Sequence, residues 1–404
     1  MKIFTGGCAL ALALSMSPAQ AINQEIRAMF RPDPSQPNKN VFINQTPNSG
    51  YCATYPDQCL DNAMFSIQLP VRFTSSYEFP TYWGFGIKVP ANWRRLTVTN
   101  TDTMETETVE VRITGIGSNY VLNRPAHELV GVDDVLLGHQ RLWTGSSWVN
   151  AASPCLYSGV GSYTPASYRF FWKTPVESFC VKQNLARIPS MYFDTLDFAY
   201  ELRTPNPLGM SSGHYTGLLT YSLGNGGDFD LGASFQPDDT SLTLDFVLDV
   251  QHTLKVDLPP GGDKVSLEPE GGWAPWIDSG RKPKRIFRDQ PFYISASSRF
   301  KVMLLCNSLG GSSCALGSPS GDTTQVQVAM SLPAGIAGPS GGVVTRTPLL
   351  FNTWVGPFQP GLYVDRKPGA MHFELDPFAI NFLLRPGKND RLRGNITIIW
   401  DSDV

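Results

Sequence analysis

Apolar and polar residues alternate through most of this chain, and the alternation predicts strands. The sharpest case is LRGNITIIWDSDV, residues 392–404. Ile396, Ile398, Trp400 and Val404 fall on one face, broken only by Ser402, while Thr397, Asp401 and Asp403 fall on the other with Ile399 between them. A period of two marks a half-buried strand. Chain ends fray unless they are tied into a sheet, so this strand is expected to pair. Either an internal neighbour covers it or it offers an edge to another chain.

Upstream, the same period recurs at short intervals. Ile22, Ile26, Ala28 and Phe30 share a face ahead of a proline-laden loop, RPDPSQPNKN. MFSIQLPVRF, FGIKVP and RRLTVTN follow, then TETVEVRITGI with Val109, Val111 and Ile113 in register, and SYRFFW and SFCVKQN around two cysteines. PAHELVGVDDVLLG is expected to hold a turn of helix. HYTGLLTYSLG, with Gly217 before Leu219 and Tyr221, resembles the terminal pattern of Gly394 before Ile396, Ile398 and Trp400. This weak repeat suggests two β-sandwich modules that close with the same kind of strand. The polar stretch NGGDFDLGASFQPDDT places the boundary at about residue 240, so the expected division is 22–240 and 241–404. The second module would open with Leu242, Leu244, Phe246, Leu248 and Val250, and its roughly seven strands match an immunoglobulin-like count.

Composition narrows the class. Residues 1–21 read as a secretory signal: Lys2, an apolar run from Cys8 to Met16, and Ala19-Gln20-Ala21 as a cleavage site. Removing them leaves 404 − 21 = 383 residues, starting near Ile22. Six cysteines remain, an even number that suggests disulfides in an exported chain. The close pairs are Cys52–Cys59, Cys155–Cys180 and Cys306–Cys314. Zinc is the rival reading, disfavoured because the spacing is wide and the five histidines lie far from these pairs. A net charge of −3 offers no basic stripe for nucleic acid. With 37 Gly, 32 Pro and 23 Phe, the chain reads as all-β.

These features together resemble the large two-domain subunits of bacterial chaperone–usher fimbriae, typically tip adhesins. The residues that carry the resemblance are FVLDVQHTLKVDLPP, GGWAPW, SSRFKVMLLC and the closing RGNITIIWDSDV, over 240–404; residues 22–239 match only loosely. Many pilins carry a glycine about fourteen residues from the end and an aromatic at the penultimate position. Here the nearest glycine is Gly394 and the penultimate residue is Asp403. The resemblance implies a carboxyl-terminal pilin-like domain lacking its seventh strand, completed by a strand from a periplasmic chaperone or the next subunit. It implies an outer-membrane usher, export through the periplasm to the cell surface, and a host glycan or protein as receptor. It makes Ile396, Ile398, Trp400 and Val404 the interface for the incoming strand. About five inserted apolar side chains would each contribute roughly 1.5–3 kcal/mol, comparable with a typical domain's whole margin of about 5–15 kcal/mol. Ile22 to Phe30 is short for a donor segment, which favours a tip position.

Ligand contact would fall in the amino-terminal module. Trp143 and Trp148, in a Ser/Gly/Asn loop with Asn150, are suited to stack on a sugar and bond its hydroxyls; packing as core aromatics is the competing reading. Tyr168 and Trp172 read as core, and Asp133 and Asp134 as an acidic turn. His127-Glu128, His139 and the pair Asp194 and Asp197 are the best catalytic candidates, but no nucleophile elbow, H-E-x-x-H or phosphate loop accompanies them. No cofactor or metal is expected. The alternative reading is a secreted carbohydrate-active enzyme with an immunoglobulin-like accessory module. An outer-membrane barrel is disfavoured by Val404 as last residue and by the many prolines and cysteines.

Overall fold

A computed structural model describes residues 22–61, 65–159, 161–307, 313–388 and 390–402. The expected leader and Val404 lie outside the described residues. The described chain is mostly strand. Its longest helix, Val135–Leu142, has 8 residues, and no described helix is long and apolar enough to cross a membrane. The buried apolar residues form two main clusters, one from Ile26 to Val250 and one from Ile286 to Ile380.

The first module is organised by the 17-residue strand Thr106–Leu122. Its first half pairs with Arg94–Asn100, its middle with Leu196–Arg203, and its second half with Ser167–Lys173. Residues 115–118 are buried on both faces. Gly115 and Gly117 permit this: a Cβ on Gly115 would lie 2.5 Å from the Phe171 ring, and one on Gly117 2.6 Å from the Phe170 carbonyl. The helical turn expected near residue 126 is two helices, Ala126–Val130 and Val135–Leu142, the second capped by Asp134 Oδ1 accepting the Leu137 N–H at 2.6 Å. Asp134 is therefore a cap, and Asp133 is exposed beside it.

Ser241–Val250 corrects the expected boundary. This strand lies in the first sheet, antiparallel to Gly213–Ser222 along ten residues and parallel to Ile22–Phe30 along nine. Leu242, Leu244, Phe246, Leu248 and Val250 are all buried in the first core. The alternating residues after 240 thus finish the first module, and the second begins at Leu254–Asp257. Gly213–Ser222, the suspected second copy of the terminal strand, is also paired along both edges, by Ser241–Val250 and by Arg94–Asn100. What the two segments share is close backbone packing at the glycine. A Cβ on Gly217 would lie 2.5 Å from the Thr97 carbonyl, and one on Gly394 2.6 Å from that of Ala315.

The three cysteine pairs are bonded as Cys52–Cys59, Cys155–Cys180 and Cys306–Cys314. Between the modules, His252 bridges the two: Nε2 lies 2.9 Å from the Met210 carbonyl and Nδ1 3.0 Å from Ser297 Oγ.

The second module is a two-sheet sandwich. One sheet runs Leu254–Asp257, Ile286–Ala296, Val364–Leu375, Thr323–Ser331, Cys314–Gly317. The other runs Ile336–Ala337, Trp354–Pro360, Phe300–Cys306, Ile396–Ser402. In chain order the first four strands of the larger sheet take the A, B, E and D positions of an immunoglobulin fold, and Phe300–Cys306 and Ile396–Ser402 take C and F.

Candidate strand-docking site

Ile396–Ser402 pairs antiparallel with Phe300–Cys306 over seven residues, from Cys306↔Ile396 to Phe300↔Ser402. Ile396, Ile398 and Trp400 turn inward and pack on the second core, as the alternation predicts. The Trp400 ring sits 5.2 Å from that of Phe292 and 5.9 Å from that of Phe300. The opposite face carries Thr397, Ile399 and Asp401, with Asp401 3.3 Å from Lys301 Nζ.

On its other side the terminal strand pairs with nothing among the described residues. An antiparallel strand turns half of its N–H and C=O groups away from its partner, so the outer edge presents a row of unspent donors and acceptors. In the complete immunoglobulin arrangement this is where the G strand lies beside F. Across the sandwich, the A position is held by the four-residue strand Leu254–Asp257, whose Leu254 and Val256 are likewise only half-buried against the second core. Two open edges, each lined by alternating apolar side chains, therefore flank one side of the module. Leu254 and Val256 escape a reading of the sequence because they follow the previous strand after only three residues and look like its continuation.

The sugar-stacking candidates lie elsewhere. Trp143 and Trp148 are 1 % and 0 % exposed, so the expectation that they contact ligand is corrected. They stack with Tyr120, Phe85, Phe170 and Trp172 in the first core. The Ser/Gly/Asn loop around them is held from below by Lys182, whose Nζ donates to the Ser147 and Asn150 carbonyls at 3.2 and 2.8 Å. Asn150 itself is exposed. Tyr168 and Trp172 are core, as expected.

The catalytic candidates are occupied by structural bonds. His139 is fully buried between Tyr120 Oη and the Thr164 carbonyl, each at 2.7 Å, and burial holds its pKa below the ordinary range. Asp197 takes the Arg169 guanidinium at 2.8 Å and the Tyr51 N–H at 3.2 Å, while Asp194 accepts from Asn119. Burial raises the Asp197 pKa against the opposing pull of Arg169. One arrangement has no signature in the sequence: Ser331 Oγ lies 2.7 Å from His372 Nε2, and His372 Nδ1 lies 2.6 Å from Asp289 Oδ1. These are the residue types of a hydrolase triad. Here Ser331 Oγ also accepts the Arg346 N–H at 2.9 Å, and the Arg346 guanidinium clamps Asp289. The chain of bonds links three adjacent strands of the larger sheet and acts as a cross-strand tie.

No family profile and no curated protein sequence matches the chain. Among solved structures it is similar to CfaE, the adhesive subunit of the CFA/I fimbria of enterotoxigenic Escherichia coli, at 9 % identity and TM-score 0.28, covering 95 % of this chain and 94 % of that one. A chaperone–tip adhesin complex of CFA/I fimbriae matches at 10 % identity and TM-score 0.26, covering 95 % and 97 %. The CsuC–CsuE chaperone–tip subunit complex of Acinetobacter baumannii Csu pili matches at 10 % and 0.22, covering 94 % and 98 %. With TM-scores this low, function rests on the chain's own strand pairing.

Proposed function

We propose that this protein is a non-enzymatic, exported fimbrial subunit whose second module is completed by a strand from another protein. A periplasmic chaperone supplies the strand first, and the usher hands the subunit on to its neighbour at the cell surface. The observation that carries the proposal is the outer edge of Ile396–Ser402, unpaired among the described residues and backed by Ile396, Ile398 and Trp400. An incoming strand gains main-chain hydrogen bonds along that edge and places alternate side chains between the two sheets. Without it, an apolar cleft and an unpaired edge invite aggregation.

A tip position follows from the other end of the described chain. Ile22–Phe30, the one segment before the first module that could donate, is built into its own sheet between Ser241–Val250 and Ile43–Asn44. Donating it would strip Ile26, Ala28 and Phe30 out of the first core. The first module is then left to contact a receptor.

The test is periplasmic expression with and without a co-expressed fimbrial chaperone, followed by pull-down. Soluble protein only in the presence of chaperone, in a complex lost with Ile398→Asp, is the expected result. A stable monomer that captures no chaperone overturns the proposal.

A further inference from the structure

The first module carries a second feature that its core does not explain. Gly84–Ile87 and Cys180–Gln183 form a two-stranded ribbon outside the main sheet, paired from Gly84↔Gln183 to Ile87↔Cys180. Phe85, Ile87, Cys180 and Lys182 point inward and are at most 1 % exposed. By alternation, the outward row is Gly84, Gly86 and Lys88 on one strand and Gln183, Val181 and Phe179 on the other. Two of these six positions have no side chain, so the middle of the face is a bare backbone floor. The Phe179 ring leans over it: a Cβ on Gly86 would come within 3.0 Å of that ring.

The ends of the floor are aromatic and held rigidly. At one end Tyr82 and Trp83 are 66 % and 42 % exposed. Tyr82 adopts φ of +65°, a left-handed conformation that is costly for a bulky side chain. It is enforced by Asn184, which is fully buried. The Asn184 Nδ2 donates to the Pro80 and Ala186 carbonyls at 2.9 and 2.8 Å, its Oδ1 accepts the Trp83 N–H at 2.7 Å, and its carbonyl accepts the Tyr82 N–H at 2.8 Å. A buried amide is thus committed to holding two aromatic residues out in solvent, the reverse of what stability alone favours. At the other end Lys88 Nζ lies 5.4 Å from the Phe179 ring centroid, with no carboxylate within ion-pair range among the described residues. The other charges near the ribbon are matched: Arg187 with Glu78, and Glu177 with Arg94 and the Asn92 N–H. Lys88 is the one uncompensated charge on the face.

We propose that this face is the receptor-contact surface and that it takes an acidic oligosaccharide. One sugar ring stacks on Trp83, as pyranose faces do on indole. The chain of sugars lies across Gly84 and Gly86, where a Cβ would hold it off. A carboxylate or sulfate on a further sugar pairs with Lys88 beside Phe179. Trp83 and Lys88 are five residues apart, about 16 Å along a strand, the length of a short oligosaccharide. Gln183, exposed between the two ends, adds a polar contact.

The experiment measures retention of the full chain, carried by a chaperone where solubility requires it, on surfaces bearing 3′-sialyllactose, galactose 3-sulfate or lactose. Retention on at least one acidic probe, reduced at least tenfold by Trp83→Ala and by Lys88→Glu, is the expected result, with lactose held more weakly and indifferently to Lys88→Glu. Unchanged melting of both variants certifies that the fold is intact. Equal retention of wild type and both variants, equal retention on acidic and neutral sugars, or no retention on either acidic probe overturns the proposal. Chaperone capture is scored on the same samples, so failure here is separate from failure of strand completion.

Discussion

Ile22–Phe30 and Ile396–Ser402 are both alternating strands, nine and seven residues long, but the first is hydrogen-bonded along both edges and the second along one. The consequence shows in burial. Ile26, Ala28 and Phe30 are 0 %, 3 % and 0 % exposed, whereas Ile396, Ile398 and Trp400 are only half-buried. Both strands carry the right residues for a core, yet only the first has a neighbour on each side to exclude water from them. A closed module and an open one thus differ by a single missing strand rather than by composition. The open module stores unspent binding capacity, and the closed one does not.

Placing a charge in each strand tests this most directly. Ile26→Asp buries an unpaired carboxylate and is expected to destabilise the first module by about 4 kcal/mol, read by denaturant unfolding. Ile398→Asp sits where water already reaches, so the isolated chain should lose only about 1–2 kcal/mol while chaperone capture is abolished. Equal losses from the two substitutions would erase the distinction.

The disulfides divide the same way. In the loop-closure account, breaking Cys155–Cys180, which spans 25 residues, costs the closed module about 3.5 kcal/mol. Breaking Cys306–Cys314, spanning 8, costs the open module about 2.5 kcal/mol. Double Cys→Ser variants followed by calorimetry would show whether the two modules melt independently.

A pH series touches only the closed module. Burial pushes the Lys182 pKa down to about 8 from an ordinary 10.5. Between those values the unfolded chain binds the extra proton, so stability should rise with pH from about 8 to 10.5, by up to about 3 kcal/mol, and be flat in this group below 8. Lys182→Met should remove that slope. At the small end, Lys301 and Asp401 pair across the solvent face of the open module. Asp401→Asn should shift stability by no more than about 0.5 kcal/mol, which a melting curve can bound.

The all-β class, the pairing of the six cysteines and the inward row Ile396, Ile398 and Trp400 were legible in the chain itself. Each depends on near neighbours: a period of two, short cysteine spacings, and side chains that alternate whatever the strand pairs with. The Trp143 and Trp148 loop shows the limit of such reasoning. A Ser/Gly/Asn run predicts exposure, but Lys182, from a strand more than 30 residues away, ties that loop down and leaves both indoles inside. The module boundary was misplaced for a related reason. Alternation identifies Ser241–Val250 as a strand without saying which sheet owns it, and parallel pairing with Ile22–Phe30 spans more than 200 residues. The same holds for the Tyr82 and Trp83 platform, whose exposure is enforced by Asn184 a hundred residues on.

Local pattern determined what each segment is. Only the tertiary structure decided which edges close and which stay open, because a strand's hydrogen-bonding edges are satisfied by partners distant in sequence, and no residue in Ile396–Ser402 encodes the presence or absence of its neighbour.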